Sequence, residues 1–270
     1  MLKQRIITAS ILLPIILLAL FLQPLWLWRI LVSVFIGVAW WEWVRLSKAV
    51  DKTAFIVFAT AALLGLIYVF SGVGFSLGVV VFSMILWSLA IVFCYLKTEK
   101  MSQLILPQTK LLFGAWVLAF SWWSLIWLRE QANGPYWVLG FLAIIWLADT
   151  GAYFAGKRFG RTKLAPSISP GKTVEGLVGG ALCVALYAAI VPGFFVENSR
   201  ILLAIVAVVI AIISVGGDLF ESWLKRYAQM KDSSQVLPGH GGVLDRIDSL
   251  IAAMPFIVAA YCYMTNMQIS

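Results

Sequence analysis

Charge is what this chain has least of: only 12% of its 270 residues are Asp, Glu, Lys or Arg, where a soluble domain carries about a quarter. That shortage excludes an ordinary water-exposed globule. Histidine occurs once, at His240. Cysteine occurs three times, at Cys94, Cys183 and Cys262, with no metal or C-x-x-C spacing, so the three read as apolar packing residues. No small-x-small cleavage site follows the apolar run behind Lys3 and Arg5 before Gln23-Pro24, which favours an uncleaved first helix over a secretory leader. Internal repeats, low-complexity stretches and linkers long enough to part soluble domains are also missing. So is the alternating pattern of a membrane barrel.

What is abundant is apolar sequence, 62% of the chain, in blocks of roughly the length that carries a helix across a hydrocarbon core of about 30 Å. The breaks between blocks predict about nine spans, near 6–22, 28–46, 53–70, 75–96, 111–128, 136–156, 174–193, 201–221 and 248–266. The expected fold is therefore an all-α, polytopic integral membrane protein. Alternate loops then share the basic residues unequally. Seventeen of the 20 Lys and Arg fall on the side of the N-terminus, leaving only Arg29, Arg129 and Arg200 opposite. Positive charge is retained in the cytoplasm, so the N-terminus is expected there, the C-terminus outside, and the cytoplasmic (inner) membrane is the expected location. The net charge of +8 is spread over five loops rather than gathered in one stripe, which argues against nucleic acid as a partner.

Residues 1–270 read as one membrane domain with unequal halves. The first, 1–135, is rich in Trp, Leu and Phe and reads mainly as scaffold helices, its indoles mostly near span ends where the membrane interface favours them. The second, 136–270, holds both long polar segments, expected as cytoplasmic loops at 157–173 and 222–247. Gly176 and Gly180 form a small-xxx-small pair suited to close helix packing.

Five of the 12 acids, Asp218, Glu221, Asp232, Asp245 and Asp248, crowd into the segment that also contains His240. Asp245 and Asp248 are three apart and share a helical face, while Asp218 lies near the end of the preceding span. Two helix ends bearing carboxylates suit a hard cation such as Mg²⁺ held jointly with substrate phosphates; the same residues equally suit a helix dipole and a pairing of Asp218 with Lys225. Between them run Lys225-Arg226, Lys231-Asp232 and Pro238-Gly239-His240-Gly241-Gly242, cations and flexible backbone fit for phosphate. A simple turn with topology-setting cations has the same composition. The upstream block, Asp149 to Glu175, opens with an ionisable group inside a predicted span, which marks a functional site or a buried ion pair. Its Pro170-Gly171-Lys172-Thr173 has Pro166 where a phosphate-binding loop needs its first glycine, so no Walker motif is present.

Together, Ser222-x-x-Lys225-Arg226-x4-Lys231-Asp232-x4-Leu237-Pro238-Gly239-His240-Gly241-Gly242-x-x-Asp245-Arg246-x-Asp248 resembles the signature of the phosphatidate cytidylyltransferases, or CDP-diacylglycerol synthases. The block from Asp149 through Ser167-Ile168-Ser169-Pro170-Gly171-Lys172-Thr173-Val174-Glu175 resembles the same family, so the likeness covers the C-terminal half. The resemblance implies a Mg²⁺-dependent enzyme of phospholipid biosynthesis that joins CTP to phosphatidic acid, giving CDP-diacylglycerol and pyrophosphate, and a homodimer. It implies Asp218, Asp245 and Asp248 as metal ligands, with Lys225, Arg226 and His240 completing the catalytic set. Substrate contacts are expected from Asp149, Lys163, Ser167, Lys172, Glu175, Ser222, Lys231, Asp232, Gly241, Gly242 and Arg246. The rivals are a CTP-dependent kinase of a polyprenol or other lipid alcohol and, from another class, a secondary transporter, although repeat symmetry is not evident. A CDP-alcohol phosphotransferase ranks third among enzymes, because Gly217 precedes Asp218 rather than following it.

Overall fold

A computed structural model describes residues 2–22, 24–48, 57, 76–95, 106–190, 200–265 and 267. Among these, eight helices dominate: α1 (Leu2–Phe21), α2 (Trp26–Ser47), α3 (Leu77–Tyr95), α4 (Pro107–Glu130), α5 (Gly134–Phe159), α6 (Val174–Ile190), α7 (Arg200–Ala228) and α8 (Leu244–Met264). Six of them, α2 to α5, α7 and α8, are long and apolar enough to cross a membrane, and α6 and Ser10–Phe21 are shorter apolar helices. Eight of the expected spans thus coincide with helices; the one at 53–70 lies outside the described residues.

The all-α reading holds, with one short addition: a two-stranded antiparallel ribbon, β1 (Lys163–Ala165) and β2 (Ser169–Thr173), with Lys163 opposite Thr173 and Ala165 opposite Ser169. Pro166 and Pro170 interrupt any helix here, and Pro166 opens the turn that places Ser167 at the tip. The segment expected as a loop from 222 begins as helix, because α7 runs seven residues past the predicted span. Its apolar run ends, but its buried face continues through Trp223 and Leu224. Lys225 and Arg226 are therefore on the last turn of a helix. Gln229 then takes the left-handed conformation at φ 61°, and the amides of Gln229 and Met230 return to the carbonyls of Arg226 and Lys225, closing the helix end.

The chain forms two compact units that alternate along the sequence. The first comprises Met1–Val73, Glu99–Pro135 and Leu224–Asp248. Here α2 lies against α4, and indoles do more than line an interface: Trp28 Nε1 donates to the Leu125 carbonyl at 3.0 Å and Trp43 Nε1 to that of Lys110 at 2.9 Å. Both rings are buried, so each satisfies its polar edge inside the protein. The buried Lys110 ammonium stands 3.1 Å from the centre of the Tyr227 ring. Gly114 is what lets α4 approach Trp43, since a Cβ there would run into the indole. Gly114→Ala is expected to cost about 1–3 kcal/mol by overpacking, seen as a lower unfolding midpoint in detergent.

The second unit comprises Gly74–Thr98, Tyr136–Trp223 and Ser249–Ser270. Its helices α5 and α6 touch backbone to backbone. A Cβ on Gly180 would come within 2.6 Å of the Ala148 carbonyl, and one on Gly176 within 2.9 Å of the Ala152 carbonyl. The small-residue pair therefore packs inside the fold. Thr173 caps α6, its hydroxyl accepting the Gly176 amide at 3.1 Å, and this joins the ribbon rigidly to the helix. Of the cysteines, Cys94 and Cys262 are buried and Cys183 faces Gly151, all as free thiols.

Candidate active site

The ribbon aims Lys172 at α7. Its Nζ pairs with Asp218 Oδ2 at 2.6 Å and also donates to the Val215 carbonyl at 3.2 Å, while Ser222, one turn further along α7, donates to Asp218 Oδ1 at 3.2 Å. Two sequence blocks more than forty residues apart thus meet on one carboxylate. Glu175 serves the ribbon's base: its carboxylate accepts the amides of Arg161 and Thr162 at 3.0 Å. It acts on backbone, at the first turn of α6 where a negative charge is favoured.

The last turn of α7 and the first of α8 are joined by Lys225 Nζ and Asp245 Oδ1 at 2.6 Å, with side chains only 14% and 5% exposed. Asp245 Oδ2 is occupied as well, by the Ser233 amide and hydroxyl, both at 2.9 Å, and by the Gly242 amide at 2.8 Å. Each of its oxygens therefore already binds donors of the protein. Gly241, at φ 85°, leaves room for this arrangement; a Cβ there would lie 2.8 Å from Asp245 Oδ2. His240 rides on a tight turn in which its amide returns to the Leu237 carbonyl at 2.9 Å, and its buried Nδ1 has no hydrogen-bond partner among the described residues.

A pair on α7 answers the chemistry of a cation. Asp218 and Glu221 stand one turn apart on that helix, and each offers a carboxylate oxygen within 4.8 Å of the other's. Carboxylates are hard donors that fit Mg²⁺, and Asp218 and, at the start of α8, Asp248 are half-buried. Glu221 is the member that the expected set lacked. It follows Asp218 by three on a helix, so the spacing that paired Asp245 with Asp248 applied to it equally.

The remaining expected residues are spread around these. Lys163, Ser167, Arg226, Lys231, Asp232 and Arg246 are exposed. Asp149 lies on the surface of the fold too, on α5 ten residues before its end. Reasoning from sequence missed Glu42, on α2. It is fully buried, and its oxygens accept the hydroxyls of Ser233 and Ser234 and the amides of Val243 and Leu244. Its signal was present all along: a lone acid inside a predicted span.

Comparison with known proteins shows the family. The family model described as the cytidylyltransferase family matches residues 3–264. A phosphatidate cytidylyltransferase of Pseudomonas aeruginosa is 36% identical over 263 residues, which cover 96% of each chain. One of Haemophilus influenzae is also 36% identical, over 295 residues covering 97% of this chain and 99% of that protein. One of Staphylococcus haemolyticus reaches 45% over 129 residues, 47% of this chain and 49% of the other. With a match that runs through both motif blocks and the first half alike, the chain belongs to the cytidylyltransferase family.

Proposed function

We propose that this chain is a phosphatidate cytidylyltransferase, a membrane enzyme of phospholipid biosynthesis that converts CTP and phosphatidic acid to CDP-diacylglycerol and pyrophosphate. Beside the family, one observation carries the reading: Lys172 of the upstream block stands on Asp218 of the downstream block at 2.6 Å, beside the Glu221 carboxylate. Cations and acids in one place suit a reaction between two polyphosphate or phosphate substrates.

In that reaction an oxygen of the lipid phosphate forms a bond to the α phosphorus of CTP, and the bond from that phosphorus to the bridging oxygen of pyrophosphate breaks. The attacking monoester is already ionised near neutral pH, so no protein nucleophile is required and a general base is dispensable. Asp218, Glu221 and Asp248 would hold Mg²⁺, which when bound neutralises charge on the phosphates. Lys172, Arg226, Lys231 and Arg246 would clamp substrate phosphates and the leaving pyrophosphate, and His240 would orient one of them. Lys225, paired with Asp245, would join that clamp from the last turn of α7. Asp149, Lys163, Ser167, Glu175, Ser222, Asp232, Gly241 and Gly242 would supply the remaining substrate contacts. The same proposal takes nine spans in one membrane domain, an N-terminus and active site facing the cytoplasm, a C-terminus outside, a bacterial inner membrane and a homodimer.

The test is to incubate purified protein with phosphatidic acid, Mg²⁺ and CTP labelled in its α phosphate, with and without EDTA, and resolve the lipids. Label in CDP-diacylglycerol that EDTA removes is the expected result. Label reaching lipid only from the γ phosphate, with a lipid alcohol as acceptor, would make the chain a lipid kinase instead.

A further inference from the structure

We propose that Glu42, in the half of the chain that reads as scaffold, is a positioning residue for the active site. It reaches about two hundred residues along the sequence to hold the 229–243 loop and the start of α8. Glu42 is 0% exposed, and among the described residues no cation answers its charge. What answers it is a ring of donors: Oε1 accepts the Ser234 hydroxyl and the Val243 amide at 3.0 Å, and Oε2 accepts the Ser233 hydroxyl at 3.1 Å and the Leu244 amide at 2.6 Å. The two amides open α8 and have no acceptor within the helix itself, so a carboxylate is the strongest cap available to them.

The neighbouring residues are shaped around this contact. A Cβ on Gly242 would strike the Ser233 hydroxyl and Glu42 Oε1, so this glycine is required by the close approach of Glu42 and not only by an incoming phosphate. Ser233 has one hydroxyl proton, placed between Glu42 Oε2 at 3.1 Å and Asp245 Oδ2 at 2.9 Å. Three successive amides, Gly242, Val243 and Leu244, are shared between the same two carboxylates. Glu42 therefore sets where the first turn of α8 begins, and with it the positions of Asp245 and, one turn on, Asp248. Gln is a poor substitute despite its shape. Its amide nitrogen donates, so one side of the ring would set donor against donor.

As far as it concerns catalysis, the proposal rests on the cytidylyl transfer put forward above, and the experiment separates the two. Glu42→Gln, Ser234→Ala and the unaltered protein are compared by amide hydrogen exchange over 231–244, by melting temperature, and by kcat and KM for CTP across a Mg²⁺ series. Glu42→Gln is expected to lower kcat by about 10²-fold through misplaced groups, and to raise the Mg²⁺ concentration needed for half-maximal rate. Exchange over 231–244 should quicken by at least about 10-fold while that of α4 is unchanged. Ser234→Ala, which removes one donor of four, should move exchange in the same direction by less, and it decides the matter if Glu42→Gln does not fold. Unchanged exchange over 231–244 in either folded variant, or unchanged kcat and Mg²⁺ dependence in Glu42→Gln, would overturn the proposal. An unaltered protein that makes no CDP-diacylglycerol, alongside loosened exchange in Glu42→Gln, would instead defeat the assigned reaction and leave the anchoring of the loop in place.

Discussion

Replacing Lys225 with Met should destabilise the protein by about 3–5 kcal/mol, the range for breaking a buried ion pair from one side. The size follows from what is left behind. Asp245 is 5% exposed on its side chain, so its charge cannot recover solvent when the ammonium 2.6 Å away is removed. Oδ2 keeps the Ser233 and Gly242 donors, but Oδ1 loses its partner. Removing both charges, in Lys225→Met with Asp245→Asn, should be less damaging than the sum of the single changes, with a coupling of about 1–3 kcal/mol in a double-mutant cycle. Chemical unfolding in mixed micelles measures all three, and Lys163→Met, at an exposed position, supplies the control. If Lys225→Met costs no more than Lys163→Met, the pair does not hold the last turn of α7 to the first of α8.

The spans were legible because hydrophobic length is a property of a contiguous segment, readable without knowing any neighbour. Both polar blocks were legible for the same reason, as charge concentrated where the surrounding sequence has little. What escaped were facts about pairs of distant residues. Glu42 is a single acid in an apolar run, and nothing near it in sequence says that its four partners lie at 233, 234, 243 and 244. Asp218 and Asp245 look alike as acids near helix ends, yet one keeps a third of its side chain exposed beside Lys172 and the other is enclosed by Lys225, Ser233 and Gly242. The end of α7 was misjudged because hydropathy marks where a helix leaves apolar surroundings, not where its hydrogen bonds stop. Leu224 keeps the buried face going past that point.

Asp218→Asn and Asp248→Asn should each lower kcat by about 10²–10³-fold, the scale of losing one electrostatic contact to a transition state, while leaving the fold intact. Asn keeps the shape: its one carbonyl oxygen can accept from Lys172 while its amide faces Ser222, whose hydroxyl can turn to accept, and the Lys172 to Asp218 pair is not deeply buried, at 21% and 34% side-chain exposure. Pairs that reach solvent contribute about 0–1 kcal/mol, so melting temperatures should barely move. Asp245→Asn should behave in the opposite proportion. It inserts an amide where Lys225 and three other donors require an acceptor, so stability falls with activity, and added Mg²⁺ restores neither. The discriminating measurement is rate against Mg²⁺ concentration beside melting temperature for all three variants. A stable Asp245→Asn whose activity recovers at high Mg²⁺ would make Asp245 a metal ligand after all. Active Asp218→Asn and Asp248→Asn would remove these carboxylates from the chemistry. A deeply buried carboxylate enclosed by protein donors and one whose side chain still reaches solvent should differ in just this way, because only the first is holding the fold together.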